Sequence, residues 1–148
     1  MKHRINLNAR SAVAAALLCI TVGSAAAADN ALPEFQQSGA VRYVSGGVGE
    51  QESHAFLEHR QEHPLSVEVY AREGAREVYT AGTSIRVSKP SGAPVLDAEA
   101  QGPFLLADLP PGRYTVEVTL QGETMSKSVT VGRGRTSRAI FVFPEPRA

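Results

Sequence analysis

Hydrophobic and polar positions alternate with a period of two over much of the second half of the chain. Leu65, Val67 and Val69 alternate with polar residues, and the same pattern returns at 85–87 and 114–120. Such alternation is typical of β-strands with one buried face and one face toward solvent or a neighbouring element. Turn-forming residues separate the apolar runs: Gly74, Pro90-Ser91-Gly92, Gly102-Pro103, Pro110-Pro111-Gly112, Gly122 and Gly132-Arg133-Gly134.

Seven or eight short strands predict an all-β fold, an antiparallel β-sandwich over residues 64–144. No helical stretch in this region is long enough for the crossover connections of a parallel sheet. Half-polar strands bury only one face, so two sheets must cover one another. The last run, 137–143, is apolar on both faces, and we expect it to be a central strand or to lie beneath a helix. Residues 145–148 form a short tail.

One short α-helix is predicted before the sandwich, over residues 48–63. The segment contains no proline, and from Glu50 onward no glycine. Glu50 and Glu52 would lie in the first turn, where the helix dipole favours acidic side chains, and Pro64 would stop the helix. The residues expected to pack against the sandwich are Ala55, Phe56 and Leu57.

The amino-terminal 28 residues follow the pattern of a secretory signal peptide. Basic residues precede an apolar run at 12–22, and Ala26 and Ala28 occupy the small positions before a cleavage site, which places cleavage before Asp29. Eleven apolar residues are fewer than the ~20 that a membrane-spanning helix needs. Leu18 precedes Cys19, whereas a lipoprotein signal has a small residue directly before its cysteine, so we do not favour lipidation. The following residues, 29–47, show little periodicity and are predicted to be a flexible leader.

Removal of residues 1–28 would leave 120 residues with 12 basic and 15 acidic side chains, a net charge of −3, and no cysteine. This predicts a periplasmic or secreted protein that folds without disulfides. A chain of this length buries enough apolar surface to fold without a metal or a covalent link. The charge balance gives no indication of a nucleic-acid partner, and we expect no stable membrane span after cleavage.

A resemblance to a known family lies in residues 95–116, which include Leu109-Pro110-Pro111-Gly112-Arg113-Tyr114. This stretch resembles the carboxypeptidase regulatory-like domain, a transthyretin-like (prealbumin-like) β-sandwich. The closest likeness is to small secreted bacterial proteins of this group, which also carry a segment like Tyr43-Val44-Ser45-Gly46-Gly47-Val48-Gly49-Glu50. The resemblance covers about residues 43–143.

The resemblance implies a module that binds or assists and seldom catalyses. Hydroxyisourate hydrolases share the transthyretin-like fold, but they end in a Tyr-Arg-Gly-Ser motif that this chain lacks. The residues around this turn can also be interpreted without the resemblance. Leu109 is a candidate core anchor, and Tyr114, Val116 and Val118 would point inward. We therefore assign no catalytic, cofactor-binding or metal-binding residue and predict no cofactor.

His59-Arg60-Gln61-Glu62-His63 matches the H-x-x-E-H pattern of zinc peptidases. In that pattern two histidines one helical turn apart bind zinc and the glutamate polarises water. A catalytic site also needs a third protein ligand, and Pro64 would leave His63 on a frayed turn. A zinc-dependent hydrolase is therefore the least favoured alternative, after a solvated helix face and modest metal binding.

Two other local patterns have structural explanations that we favour. Gly46-Gly47-Val48-Gly49 before a helix is typical of phosphate loops, but Glu52 replaces the third glycine of that motif and would repel a phosphate. A flexible turn is the better interpretation. Asp97, Glu99 and Asp108 surround a loop, and a pair of carboxylates among them would be a candidate for glycoside cleavage. We interpret all three as solvated turn residues.

Charge is distributed unevenly along the chain. Residues 29–77 carry a net charge of −5, whereas residues 78–148 carry +2. The basic residues of the last predicted hairpin are Lys127, Arg133, Arg135 and Arg138. They indicate either an anion-binding edge or, as we prefer, charged residues that keep a sheet edge soluble. Attraction to the acidic helix would also explain the asymmetry.

The sequence as a whole predicts an exported, non-enzymatic β-sandwich that acts as an interaction or accessory module of the bacterial periplasm or envelope. Its partner would be an envelope protein or a polysaccharide. Carbohydrate binding is the alternative function, although the chain has no tryptophan to provide a flat stacking surface. The candidate stacking residues are Tyr43, Tyr70 and Tyr79.

Overall fold

The computed structural model describes residues 31–145, which form ten β-strands, one α-helix and one 3-10 helix. The strands are β1 (Gln36–Ser38), β2 (Val41–Gly46), β3 (Leu65–Glu73), β4 (Arg76–Tyr79), β5 (Thr83–Ser88), β6 (Pro94–Ala100), β7 (Phe104–Ala107), β8 (Gly112–Leu120), β9 (Glu123–Val131) and β10 (Ser137–Phe143). The helix α1 spans Glu50–His59, and the 3-10 helix spans Arg60–Glu62. The predicted signal peptide lies outside the described residues.

The strands form two sheets that pack face to face, which confirms the predicted all-β sandwich with one helix. The first sheet has the order β1-β2-β7-β3-β10, and β4 also pairs with β3. The second sheet has the order β6-β5-β8-β9. All pairs are antiparallel except β3 with β10, which run parallel.

Alternation places the apolar residues of both sheets in one central core. Val67 and Phe141 of the first sheet and Val116 of the second are fully buried. The predicted inward positions Tyr114 and Val118, and the anchor Leu109, also lie in this core. The interior of the sandwich is therefore built from the period-two pattern of the sequence.

The amino-terminal boundary of the sandwich differs from the prediction. Residues 29–47 were expected to form a flexible leader, but β1 and β2 lie within them and pair with each other. Val41, Tyr43 and Val44 are buried, and β2 also pairs with β7. The helix consequently lies between β2 and β3 rather than before the sandwich. The prediction failed because β2 buries side chains on both of its faces, so its sequence shows no alternation.

The last strand does not take the first of its two predicted arrangements, that of a central strand. β10 lies at the edge of the first sheet rather than at its centre, and Ile140 and Val142 are half-buried. Its inward residues Phe141 and Phe143 are buried in the central core. Ser137 of β10 donates a hydrogen bond to the carbonyl of Thr130 in β9, so the edges of the two sheets meet on this side.

A second layer covers the outer face of the first sheet. Phe56 of α1 packs with Val44, Phe104 and Leu106 in a small buried cluster. The predicted contacts of Ala55 and Phe56 are confirmed, but Leu57 is 36% exposed. The helix ends at His59 instead of continuing to 63, because the chain tightens into the 3-10 helix and His63 is extended. Within the described residues no helix has the length and apolar character to cross a membrane.

Candidate functional site

A glycine loop turns the chain from β2 into α1. Gly47 and Gly49 have φ angles of 97° and 93°, a region that favours glycine. A Cβ atom on Gly47 would overlap the ring of Phe104. The side chains of α1 hold the loop: Ser53 Oγ donates a hydrogen bond to the Gly47 carbonyl over 2.7 Å, and Glu52 accepts one from the Gly47 amide over 2.7 Å.

The hydrogen bond to Glu52 changes the interpretation of the glycine pattern. A phosphate loop presents its amide groups to the ligand. Here the amide of Gly47 donates to the carboxylate of Glu52 instead, and Glu50 adds a second negative charge at the start of the helix. The loop is the turn that we predicted in place of a phosphate site, and side-chain hydrogen bonds from α1 hold it.

A cavity of about 510 Å³ lies between this loop, α1 and the segment that follows β4. We call it the α1 cleft. Among residues 31–145, the large hydrophobic side chains that are exposed are Val48 (63%), Leu57 (36%) and Tyr79 (47%), and all three line this cleft. Its other lining residues are Gly47, Gly49, Glu50, Ser53, His54, Thr80, Ala81 and Pro103.

Contacts between aromatic rings connect the α1 cleft to the small core beneath α1. The ring of Tyr79 lies 5.1 Å from that of Tyr70 and 5.1 Å from that of Phe104, measured between centroids. Phe104 in turn stacks on Phe56 at 5.5 Å. Aromatic pairs at these distances add stability beyond the area they bury. Tyr79 is therefore held in place while part of its ring remains exposed.

A buried ion cluster lies on the same face of the sheet. Glu68 is fully buried, and Arg138 donates to its two carboxylate oxygens over 2.6 and 2.7 Å. The Tyr70 hydroxyl donates over 3.0 Å, and Arg60 lies at 3.4 Å. The carboxylate is thus fully provided with donors, as a buried charge requires.

Burial alone would raise the pKa of Glu68. The hydrogen bonds from Arg138 and Tyr70 and the charges of the two arginines outweigh it and hold the pKa of that carboxyl below its usual value. Burial, together with the neighbouring carboxylate, raises the pKa of Tyr70 well above its usual value. Glu68 is therefore an ionised acceptor and Tyr70 a protonated donor, an arrangement that stabilises the fold and leaves neither group available as a base.

The histidines of the H-x-x-E-H pattern do not form a helical pair. His59 Nδ1 lies 3.0 Å from a carboxylate oxygen of Glu62, at the end of α1. His63 is buried, follows the 3-10 helix in an extended conformation, and its Nδ1 lies 2.7 Å from Asp108 Oδ1. In the described part of the chain no group of three or more His, Cys, Asp or Glu side chains is arranged to hold a metal ion. The zinc geometry fails because the α-helix ends at His59.

Asp108 links His63 to the first sheet. Its second oxygen accepts a hydrogen bond from Arg42 Nε over 2.8 Å. Burial raises the pKa of Asp108. The hydrogen bonds and charges of His63 and Arg42 lower it by a larger amount, so the pKa of this carboxyl lies below its usual value. The arrangement ties the connection before β3 to β2 and to the segment after β7, which is a structural role.

The other acidic candidates lie apart from Asp108. Asp97 and Glu99 are on β6, on the outer face of the second sheet, where Asp97 pairs with Arg86 at 2.6 Å and Glu99 accepts a hydrogen bond from Ser84. Both carboxylates belong to a surface network of a polar sheet face. The three acids predicted near one loop are therefore separated between the two sheets.

Two of the predicted basic residues have partners within the fold. Arg138 binds Glu68, and the ammonium group of Lys127 lies 5.5 Å from the centre of the Phe141 ring. The positive charge of the last strands is thus partly neutralised inside the molecule, but by Glu68 of β3 rather than by the acidic helix that we considered.

The tyrosines proposed for carbohydrate stacking are in different environments. Tyr43 is buried and its hydroxyl donates to Gln36 over 2.9 Å, so it is not available to a ligand. Tyr79 is exposed in the α1 cleft, with Tyr70 behind it. Sequence reasoning missed this cleft because it assigned Leu57 to the packed face of the helix. The isolated apolar Val48 between glycines was the available signal.

Comparison with known proteins adds no relative from which a function follows. No family model matches the sequence, and no curated protein matches it. The likeness of residues 95–116 to the carboxypeptidase regulatory-like domain therefore stays a prediction.

Proposed function

We propose that the protein is an exported, non-enzymatic interaction module that binds a partner polypeptide of the bacterial envelope through the α1 cleft. The convergence of Val48, Leu57 and Tyr79 on one cavity carries this proposal. Exposed hydrophobic side chains that cluster around a concave surface are typical of binding sites, whereas scattered ones need no explanation. This role agrees with the accessory function that the family resemblance implies.

The charge around the cleft defines the chemistry of the partner. The segment 50–62 contains four glutamates and one arginine, and Glu50 lines the cleft itself. A partner that fits this surface presents an apolar side chain next to lysine or arginine. Such complementary charge increases the association rate and the specificity of binding more than the affinity.

A non-enzymatic role is favoured by the state of the acidic groups described above. Glu68 and Asp108 are engaged by arginine and histidine side chains, and neither lines the α1 cleft. A general base must lie within hydrogen-bond reach of its substrate. Glu50, His54 and Tyr79 are the titratable residues of the cleft, and within the described chain no hydrogen bond connects Glu50 or His54 to a nucleophile or to each other.

The test is site-specific photocrosslinking in living cells. A benzoylphenylalanine residue replaces Tyr79 in the full chain, and a control chain carries it at Thr124, which is exposed on the second sheet. We expect an adduct with an envelope protein at position 79 that disappears when Leu57→Asp is added. Equal adducts at both positions, or none at 79, would contradict the proposal.

The predicted export has a separate test. Mass spectrometry of the purified chain should find its amino terminus at Asp29.

Carbohydrate binding is the second candidate, and the exposed ring of Tyr79 favours it. An aromatic ring held by Tyr70 and Phe104 beside polar groups is a suitable surface for a sugar face. A glycan array probed with the chain from Asp29 onward tests this function. Carbohydrate binding would be supported if Tyr79→Ala abolishes binding to the array and the second-sheet variant Thr124→Ala retains it. An array without any binding would exclude this function.

A further inference from the structure

The strand β4 leaves an open edge beside the α1 cleft. β7 and β4 lie end to end along the same side of β3: the Val69 amide donates to the Pro103 carbonyl over 2.9 Å, and the Val69 carbonyl accepts from the Thr80 amide over 3.4 Å. β4 pairs with β3 alone among the strands of the described chain. A straight continuation of β2 would lie beside the other edge of β4. Instead the chain turns into α1 at Gly47 and Gly49 and leaves that edge open.

The pairing register shows which main-chain groups face this open edge. Thr80 donates to β3, and in an antiparallel pair the residues that bond to the partner alternate with residues that point away. Tyr79 and Glu77 are therefore the residues whose N–H and C=O groups point away from β3. Unpaired edge groups of this kind are a template for a strand from another chain.

The open edge and the α1 cleft share Tyr79. The side chain of Tyr79 contributes to the cleft, while its main chain belongs to the edge. A strand added along β4 would place every second side chain on the outer face of the first sheet, where Leu57 and Val48 lie. Backbone hydrogen bonds would give such a complex affinity, and the cleft would select the side chain.

We propose that the α1 cleft and the edge of β4 form a single site that binds a partner segment as an added β-strand. The segment places one apolar side chain between Leu57 and Tyr79 and a basic side chain near Glu50. This inference rests on the proposed function and specifies its partner as an extended, cationic segment. A second copy of this chain is a poorer occupant, because it would bring another acidic α1 toward the same edge.

The experiment uses the chain from Asp29 onward and a display library of random 12-residue peptides. Selected peptides are synthesised and their dissociation constants are measured by fluorescence anisotropy. We expect them to be rich in lysine or arginine beside one large apolar residue, to bind at least 10-fold more weakly to Leu57→Asp, and to bind more weakly as salt concentration rises. N-methylation of each peptide amide in turn should weaken binding at least 10-fold at every second position.

A protein variant tests the same edge from the other side. Glu77→Pro removes an N–H that points away from β3 and so leaves the β3 ladder intact. We expect it to weaken peptide binding at least 10-fold, whereas the matched variant Glu77→Ala, which keeps the amide, changes binding by less than 3-fold. Circular dichroism checks that both variants are folded, and the N-methylation series decides the matter if the proline variant is not.

The outcomes separate this inference from the proposed function. Peptides that require Leu57 but tolerate N-methylation at every position would overturn strand addition and leave the binding module intact. A selection that yields no peptide dependent on Leu57, together with no adduct at position 79, would overturn both. Sedimentation that shows a dimer dispersed by Leu57→Asp would identify a second copy as the occupant and would also overturn the inference.

Discussion

The two faces of the first sheet bury side chains in different ways. The inner face joins the second sheet in a continuous cluster of 20 buried hydrophobic residues. The outer face, beneath α1, has a buried cluster of four hydrophobic residues beside the charged group of Glu68, Arg138 and Arg60. The inner face therefore determines whether the sheets fold together, whereas the outer face holds one helix in place and leaves a cleft beside it. Binding surfaces are often located in such less densely packed layers.

Phe141 and Phe56 give the strongest test of this difference. Both side chains are fully buried, so replacement by alanine should lower the free energy of unfolding by about 3 to 5 kcal/mol. We expect Phe141→Ala at the upper end of this range and Phe56→Ala at the lower end, because α1 can shift to fill the space. Urea denaturation measures both values. Hydrogen exchange should show release of α1 only in Phe56→Ala, and an equal loss of protection in both sheets would contradict the two-layer interpretation.

Arg138→Met tests the charged part of the outer face. It leaves Glu68 buried without its main partner, and removal of one partner of a buried pair destabilises strongly. Because Arg60 remains nearby and Arg138 is partly exposed, we expect a loss of about 2 to 3 kcal/mol by urea denaturation. The double variant Glu68→Gln with Arg138→Met should recover part of this loss. A single variant as stable as the original chain would show that the pair of Arg138 with Glu68 contributes no net stability.

The same cluster predicts sensitivity to acid. The pKa of Glu68 lies below its usual value of 4.5 in the folded chain, so the charged cluster stabilises the fold above that pH. As the pH falls through the folded pKa, Glu68 takes up a proton and this contribution is lost. Thermal unfolding between pH 7 and pH 3 should show a decrease in melting temperature that is smaller in Glu68→Gln. An identical pH dependence in both chains would assign acid sensitivity to other carboxylates, such as Asp108.

Gly47→Ala tests the turn that opens the cleft. The substitution places a side chain at a φ angle of 97° and against the ring of Phe104. Backbone strain and overpacking together should cost about 2 kcal/mol in urea denaturation. Gly74→Ala is the matched control, since that residue also has a positive φ angle but nothing lies near its Cβ position. If both variants lose the same stability, strain alone accounts for the effect and the contact with Phe104 is unimportant.

Leu57→Asp should have the smallest effect on folding. The side chain is partly exposed at the rim of the cleft, and surface substitutions usually change stability by less than about 0.5 kcal/mol. A normal urea transition combined with lost crosslinking at position 79 would separate binding from folding. A large loss of stability would instead place Leu57 in the packed layer, as we predicted from the sequence.

The inner face of the sandwich could be predicted from the sequence, but the outer face could not. Alternation identified β3 and β8 because each buries one apolar set toward the second sheet. The same reasoning assigned Glu68 to solvent or to a neighbour, without identifying which. Its partner Arg138 is 70 residues away, and only the parallel pairing of β3 with β10 brings the two together. Pairing over such a distance leaves no local signal in the sequence.

The candidate site was only partly visible in the sequence for a related reason. The glycines at 46–49 marked a turn, and Tyr79 was among the aromatic candidates. Leu57 was assigned to the wrong face, because the helical period does not show where the helix rests on the sheet. The shape of the cleft depends on where the hydrogen bonds of Glu52 and Ser53 hold the glycine loop. These are tertiary contacts, which the sequence pattern does not show.

The parallel pairing of β10 with β3 has a consequence for the order of events in folding. The last strand supplies Phe141 and Phe143 to the interior and the guanidinium group that neutralises Glu68. Before β10 pairs, one edge of β3 is open and the buried carboxylate of Glu68 lacks its closest partner, Arg138. Contacts so distant in sequence form late and slow the folding rate. The first sheet and the charge pairing of Glu68 are therefore complete only once the carboxyl-terminal strand has paired with β3.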